Sequence, residues 1–443
     1  MKMPKHPPEL DAILSQMKNA ERLETIFRTD MHSPVEGKYP HWDKLQYDRP
    51  PGDLSHEEWW FGLKMKRLGL YRQVPLRDKK GMAFKYAIVD PIPERLHEID
   101  QGAGGFIRMP EQVTNPDTKD EYYVNSLIEE AITSSQLEGA ATTRKVAKEM
   151  IKTGRPPRDR SEQMILNNYE TMRRIGKLKD ETLSKKLVFR IHEVITKATL
   201  DDESATGRFR RADERIVVGD MYNEVFHDPP PAQQLEERIT AMCDFANSKS
   251  PVGFVHPVIR SIILHFWLAY DHPFVDGNGR VARALFYWSM LRHGYWLFEF
   301  ISISQIIRKA PIKYARSFLY TETDDNDLTY FILYQLEVIR RAINELHEYI
   351  KKRTETLRAI ELELRGMAVL NHRQRALVSH ALRHPHYQYT IGSHQISHNV
   401  VYQTARTDLL DLERRSLLTS RKIGRTWHFT PVSDLEEKLA KLD

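Results

Sequence analysis

The 443-residue sequence predicts a mainly α protein made of more than one domain. Three observations lead there. Apolar residues recur at helical spacing from Asp120 to about Leu364. Strand-like alternation interrupts that run once, from Phe209 to Phe226. The length also exceeds what one ordinary core fills, so two or three domains are expected. At 41% hydrophobic and 29% charged residues, the composition excludes a disordered chain, a collagen and a membrane transporter. One cysteine, Cys243, excludes a disulfide scaffold and a Cys-based zinc module. The first ten residues lack the apolar stretch of a secretory signal, and the longest apolar run, Ser261 to Tyr270, is far short of a membrane span. The expected setting is the cytoplasm, with no membrane contact.

Taken in order, residues 1–119 read as an N-terminal region of mixed, irregular structure, broken by Pro50-Pro51-Gly52. It contains a helix over Glu57–Leu70 and a short strand pair over Gly81–Val89. Residues 120–365 read as a helical domain. Tyr123, Leu127, Ile128, Ala131 and Ile132 form one stripe; Met164, Ile165, Tyr169, Met172 and Ile175 form another, with Gly154-Arg155-Pro156-Pro157 between them. Further helices are expected over Leu183–Ala198, Ala232–Ser248, Pro257–Tyr270, Arg280–His293 and a long run from Asp327. The alternating stretch reads as a hairpin with its turn at Gly219-Asp220, stopped by Pro229-Pro230-Pro231. In residues 366–443, helices over Ala376–Arg383, Ile391–Ser397 and Val400–Arg415 precede a hairpin of Ser416–Thr419 and Thr426–Phe429 around Gly424.

The densest chemistry lies in residues 272–283, His-Pro-Phe-Val-Asp-Gly-Asn-Gly-Arg-Val-Ala-Arg. Phe274 anchors the loop in the core. Gly277-Asn278-Gly279 permits positive φ and close backbone approach, and a helix starting near Asn278 turns its N–H groups toward an anion. Arg280 and Arg283 lie on one helical turn with forked donors suited to phosphate. Asp276 is a hard oxygen ligand suited to Mg²⁺, and His272 titrates near neutrality where a general base is needed. Singly, each feature is an ordinary turn or a solvated face; together they form a phosphoryl- or nucleotidyl-transfer site.

This stretch resembles, without departure, the Fic family signature His-x-Phe-x-(Asp/Glu)-Gly-Asn-Gly-Arg-x-x-Arg. Gly207-Arg208-Phe209-Arg210 and Val255-His256-Pro257 are similar to the elements that precede the family's flap hairpin and motif. The resemblance covers about residues 120–345 and implies a Fic-type helical bundle with a β-hairpin flap at about 209–226. It also implies a protein adenylyltransferase that moves AMP from ATP to Tyr, Thr or Ser hydroxyls of target proteins and of itself. By the family's scheme His272 is the base and Asp276 holds Mg²⁺. Gly277, Asn278 and Gly279 cradle phosphates, Arg280 and Arg283 hold the β and γ groups, and the flap grips the target's backbone. A homodimer is a further expectation of the family. Ser134-Ser135-Gln136-Leu137-Glu138-Gly139 is similar to the family's inhibitory motif, with Ser134, Glu138 and Gly139 at its defining positions on a helix of about 121–139. Glu138 would draw Arg283 away from the γ-phosphate.

Residues 366–430 carry nine Lys or Arg and three Asp or Glu, so the chain's formal +5 is concentrated there. Their helices and hairpin resemble a winged helix-turn-helix domain. Val401, Ala405, Leu409 and Leu412 would form the buried stripe. Tyr402, Gln403 and Arg406 would face outward on the recognition helix, with Arg421, Lys422 and Arg425 in the wing, as contacts for duplex DNA. Asp408, Asp411 and Glu413 dilute that charge, and winged helices also bind proteins. His394 with His398 and His384 with His386 read as surface histidines, not metal pairs. Two other readings fit parts of the sequence: a DNA-binding regulator whose helical domain binds nucleotide with little or no transfer, and a metal phosphohydrolase using His256, His265, Asp271 and His272.

Overall fold

In the computed structural model the described residues are 1–17, 20–29, 39–104, 116–219, 224–249, 253–423 and 426–442. They are mainly helical and divide into two compact units: Met1–Phe106 with Ser126–Ile343, and Ile107–Asn125 with Asn344–Asp443.

The first unit opens with α1 (Leu10–Gln16), α2 (Ala20–Arg28), α3 (Trp42–Leu45) and α4 (His56–Leu68). They pack around Ile13, Ile26, Leu45, Leu54, Trp59, Trp60 and Phe61. Ser55 and Glu58 form a capping box that starts α4. Strands β1 (Tyr71–Arg77) and β2 (Ala83–Ala87) pair antiparallel, so the expected strand pair begins ten residues before Gly81, which instead serves the turn at φ 81°. Helix α5 (Ile92–Ile99) follows. This region is fastened firmly. Buried Lys64 pairs with buried Asp324 at 2.6 Å, and the Tyr39 and Tyr71 hydroxyls both donate to Asp327 Oδ2 at 2.6 and 2.8 Å.

Then come α6 (Pro116–Leu137), α7 (Arg144–Thr153), α8 (Arg160–Leu178) and α9 (Lys185–Thr196). The first apolar stripe is buried at Leu127, Ile128, Ala131 and Ile132; Tyr123 lies outside the residues whose side chains are described. Gly154 ends α7 at φ 68°, as its position before Pro156-Pro157 suggests. The alternating stretch is less regular than its pattern. Among its described residues only β3 (Val218–Gly219) and β4 (Val225–His227) pair, because Arg208 and Glu214 tie residues 208–214 into a compact turn through two bonds of 2.7 and 2.8 Å. The expected turn residue Asp220 falls outside the described residues.

Beyond β4, α10 (Leu235–Ala246), α11 (Pro257–Asp271) and α12 (Asn278–Arg292) build the centre. Ile262, Leu264, Phe266, Val281, Leu285 and Trp288 are fully buried, and a helix apolar on every side belongs in a core. Helices α13 (Ile303–Lys309) and α14 (Pro311–Thr323) lead into α15 (Thr329–Gly366).

The second unit carries α16 (His372–Arg383), β5 (Tyr389–Thr390), α17 (Ile391–His398), α18 (Tyr402–Arg414), β6 (Leu418–Ile423), β7 (Thr426–Pro431) and α19 (Leu435–Leu439). The sheet order is β5-β7-β6, so a third strand joins the expected hairpin. Ala405, Leu409 and Leu412 are buried as anticipated, but Val401 is 68% exposed because it caps α18 from outside the helix. Asp408 faces inward rather than diluting the outer face. It accepts from Arg373 Nε at 2.6 Å, from Asn371 Nδ2 at 2.7 Å, and pairs with His394 Nε2 at 3.2 Å. His394 is therefore a buried partner of a carboxylate, not a surface residue. Asp411 is held by Arg415, and Glu413 accepts from Ser420. Tyr402, Gln403, Arg406, Arg421 and Lys422 are exposed; Arg425 lies outside the described residues.

Candidate functional site

The loop between α11 and α12 begins where α11 stops. His272 caps that helix in the left-handed region, φ 45° and ψ 55°, a conformation uncommon for a residue with a β-carbon. Its neighbours hold it there. Arg210 donates from Nε to the His272 carbonyl at 2.9 Å, from Nη2 to Pro230 O at 2.5 Å, and from its backbone N–H to Pro273 O at 2.8 Å. Asp271, fully buried, accepts from Arg238 Nε and Nη2 at 2.8 and 2.6 Å and from Trp267 Nε1 at 3.0 Å. Burial pushes the Asp271 carboxyl up to about 6, against the pull of Arg238.

The His272 ring contacts the Ala269 carbonyl through Nδ1 at 3.2 Å, which places its hydrogen on Nδ1 and its lone pair on Nε2. Burial lowers its pKa to about 4, so the imidazole is neutral and able to accept a proton at physiological pH. Nearby His227 differs. Its Nδ1 meets Glu322 Oε2 at 2.7 Å and its Nε2 meets the Tyr270 carbonyl at 2.7 Å. Both partners accept, so both nitrogens carry hydrogen; burial opposes that charge, yet Glu322 raises the pKa. His227 thus pins β4 beside the end of α11.

Past Phe274, which is fully buried, the chain turns at Gly277 (φ 84°) into α12. A β-carbon at Gly277 would lie 2.9 Å from Thr196 Cγ2, so glycine is required by both space and conformation. The Asn278 side chain departs from the expected phosphate contact. Its Oδ1 accepts from Phe274 N at 2.9 Å and its Nδ2 donates to Phe274 O at 2.8 Å. It therefore shapes the loop and leaves only its backbone N–H to a ligand. Arg280 is fully buried; Nη1 donates to Ile195 O at 3.1 Å, while Nε and Nη2 have no hydrogen-bond partner. Nη2 has only the Asp276 carboxylate as an ion-pair partner, at 3.5 Å, and a buried guanidinium so lightly held beside a helix N-terminus is suited to an anion.

Asp276 is half-exposed, with Arg160 and Arg280 each 3.5 Å from its carboxylate. No cluster of three or more His, Cys, Asp or Glu able to hold a metal occurs among the described residues. A single carboxylate beside an anion cradle still fits Mg²⁺, which keeps most of its water and shares phosphate oxygens. The four-residue phosphohydrolase set does not converge. His265 is buried against the Tyr314 hydroxyl at 2.8 Å, Asp271 is taken by Arg238, and His256 contacts Asp100 at 3.1 Å.

Arg283 reaches α6. It donates from Nε to Ser134 Oγ at 2.8 Å, and from Nη2 to the Ser134 carbonyl at 3.0 Å and to Glu138 Oε1 at 2.7 Å. Gly139 follows the helix at φ 92°. The Glu138 carboxylate stands over Gly279, where a β-carbon would meet its Oε1 at 2.1 Å. Ser134, Glu138, Gly279 and Arg283 are thus one contact group. The sequence did not single out Arg238, His227 or Arg160. The one available signal was that each is charged or titratable beside a Pro-rich or Gly-rich break, which is too common to select them.

Residues 182–290, about a quarter of the chain, match the model of the Fic/DOC family. The chain is 37% identical over 89 residues to the Protein adenylyltransferase Fic of Nematostella vectensis, which covers 20% of this chain and 19% of that protein. It is 32% identical over 117 residues to the protein of the same name from Aedes aegypti, covering 26% and 21%. The chain thus spans about a fifth of the length of the curated relatives it matches. Among solved structures, a Fic family protein from Desulfovibrio desulfuricans G20 is similar in fold, with a TM-score of 0.53 and 19% identity over 79% of this chain and 98% of that one.

Proposed function

We propose that the protein is an ATP-dependent protein adenylyltransferase held in an autoinhibited state. The observation that carries this reading is the 272–283 loop. It combines a neutral histidine with its lone pair on Nε2, the amides of a helix N-terminus, and a buried Arg280 whose Nε and Nη2 make no hydrogen bond and whose one ion pair, to Asp276, is 3.5 Å long. The relatives named adenylyltransferase support the same chemistry.

In the proposed reaction the hydroxyl oxygen of a target Tyr, Thr or Ser attacks the α-phosphorus of ATP. Its proton passes to His272 Nε2 as the bond to pyrophosphate breaks. The backbone N–H groups of Gly277, Asn278 and Gly279, with Arg280 and Arg283, hold the phosphates, so catalysis comes from positioning and charge neutralisation. Asp276 would hold Mg²⁺, which supplies further positive charge at the phosphates. The 209–226 segment, anchored by Arg210 and His227, would hold the target backbone as an added strand. With residues 120–365 as the catalytic domain, 121–139 would be its inhibitory helix. Glu138, by occupying Arg283 and the space over Gly279, would keep ATP from its productive pose.

The test is incubation of wild type, Glu138→Gly and Glu138→Gly/His272→Ala with α-labelled ATP and Mg²⁺ in a cell lysate. Label on protein is expected in the second and absent in the third; no label in the second overturns the reading.

A second reading concerns residues 366–443, proposed as a winged-helix domain that binds duplex DNA. It is favoured by the inward, neutralised Asp408 beneath an outer face bearing Tyr402, Gln403 and Arg406. On this reading the chain is a DNA-binding regulator, and the nucleotide site transfers little. Retention of the full chain on duplex DNA, with steep loss as salt rises and no labelled protein from Glu138→Gly, would favour it over the first.

A further inference from the structure

One buried imidazole outside the signature touches both halves of the site. His192, on α9, is fully buried and stacks flat on Phe274, with ring centroids 3.8 Å apart and planes 8° from parallel. Its Nδ1 accepts from the Gly207 N–H at 3.1 Å, and its Nε2 lies 3.1 Å from the Asp276 carbonyl. The partners settle the tautomer. An N–H faces Nδ1, so Nδ1 holds the lone pair, and Nε2 carries the hydrogen that donates to Asp276. Gly207 is the root of the 209–226 segment, while Asp276 lies in the 272–283 loop. The same face of α9 supplies Thr196 beneath Gly277 and the Ile195 carbonyl that Arg280 donates to.

We propose that His192 is a positioning residue that fixes the root of the flap and the phosphate loop relative to each other, so that the target hydroxyl and the nucleotide meet in register. This rests on the adenylyltransferase reading above. Each ring nitrogen thus meets a backbone group of the matching kind, so the neutral ring holds both at once. A fully protonated ring would set Nδ1–H against the Gly207 N–H. His192 does not itself reach the reacting atoms; it acts through the two backbone groups.

The test uses the full chain carrying Glu138→Gly, with His192→Phe and His192→Gln added separately. Phe keeps the flat stack and loses both hydrogen bonds. Gln keeps one donor and one acceptor. For His192→Phe we expect kcat for AMP transfer to fall by about 10- to 100-fold, from two bonds of ordinary strength, with KM for ATP changed less than about threefold. His192→Gln should recover at least a third of the lost rate. Parent-level kcat in His192→Phe, or no recovery in His192→Gln, overturns the proposal. Hydrogen exchange at the Gly207 amide supplies a readout that does not need transfer: it should quicken in His192→Phe and stay protected in His192→Gln. If the Glu138→Gly parent transfers nothing, the functional reading fails, yet this exchange pattern still decides the coupling, and unchanged protection rejects it.

Discussion

Three residues set what the loop can do. With its pKa lowered to about 4, His272 is unprotonated over a wider pH range than a free imidazole. The proposed transfer rate in Glu138→Gly should therefore hold steady from pH 8 to about pH 5 and descend near pH 4. A descent centred near 6.5 would show that the base is another group or an exposed histidine. Asn278 makes two bonds to the buried backbone of Phe274. Asn278→Ala should cost about 2 kcal/mol, seen as a lower denaturation midpoint, because both backbone groups lose their partner. At Gly279 a methyl group would collide with Glu138 and crowd Arg283 Nη1 at 3.1 Å. On the proposed reading, Gly279→Ala should displace the Glu138 carboxylate yet weaken nucleotide binding, leaving transfer low where Glu138→Gly raises it. The sequence made the 272–283 loop legible because eight of its positions carry recognisable chemistry within one short span. It could not assign Asn278 to loop shaping, since an amide beside glycines looks the same whether it faces ligand or backbone.

At the level of elements, the central pair α11 and α12 was readable from continuous apolar runs, and α6 and α8 from their stripes. The strands were less so. Residues 209–217 alternate as a strand would, but the Arg208–Glu214 pair folds them back locally, a side-chain effect that periodicity does not capture. Arg210 joins this turn to the end of α11 through the Asp271 and His272 carbonyls, and to the segment after β4 through the Pro230 carbonyl. Arg210→Lys keeps the charge and loses the planar fork. It should reduce transfer to a protein target at least tenfold in the Glu138→Gly background while leaving ATP affinity within about twofold; equal loss of both would make Arg210 a general stability residue. In the second unit, Arg373 serves Asp408 instead of solvent. Arg373→Ala should leave a buried carboxylate without its main partner and lower the unit's thermal midpoint, at about 2–4 kcal/mol. Arg421→Ala/Lys422→Ala should leave that midpoint unchanged and weaken any retention on DNA.

Across the molecule, His41, His192, His265 and His272 are all kept neutral by burial, with pKa values lowered to about 4, 4, 3 and 4. Unfolded, each takes up a proton below about pH 6.5, so the unfolded chain binds more protons between pH 6.5 and 4. Stability should therefore fall as pH falls through that window, by about 1–2 kcal/mol per histidine at pH 5. Asp271, raised to about 6, and His227 act in the opposite sense. The four outweigh the two, and calorimetry from pH 7 to pH 5 should show a declining midpoint before most carboxylates titrate. The N-terminal region, irregular by sequence, proves well fastened because its anchors pair across long separations. Lys64 with Asp324 and Tyr39 with Asp327 are each more than 250 residues apart, beyond the reach of any local pattern. No helix among the described residues is long and apolar enough to cross a membrane.

The Glu138 carboxylate over Gly279 has one more implication. On the proposed reading it is a tethered competitor seated where a terminal phosphate would go, and a tether fixes its local concentration at roughly millimolar or above whatever the protein's abundance. Dilution cannot relieve it. Only a ligand at comparable concentration, or a force on α6, can unseat it, which would make the resting state a gauge of nucleotide supply.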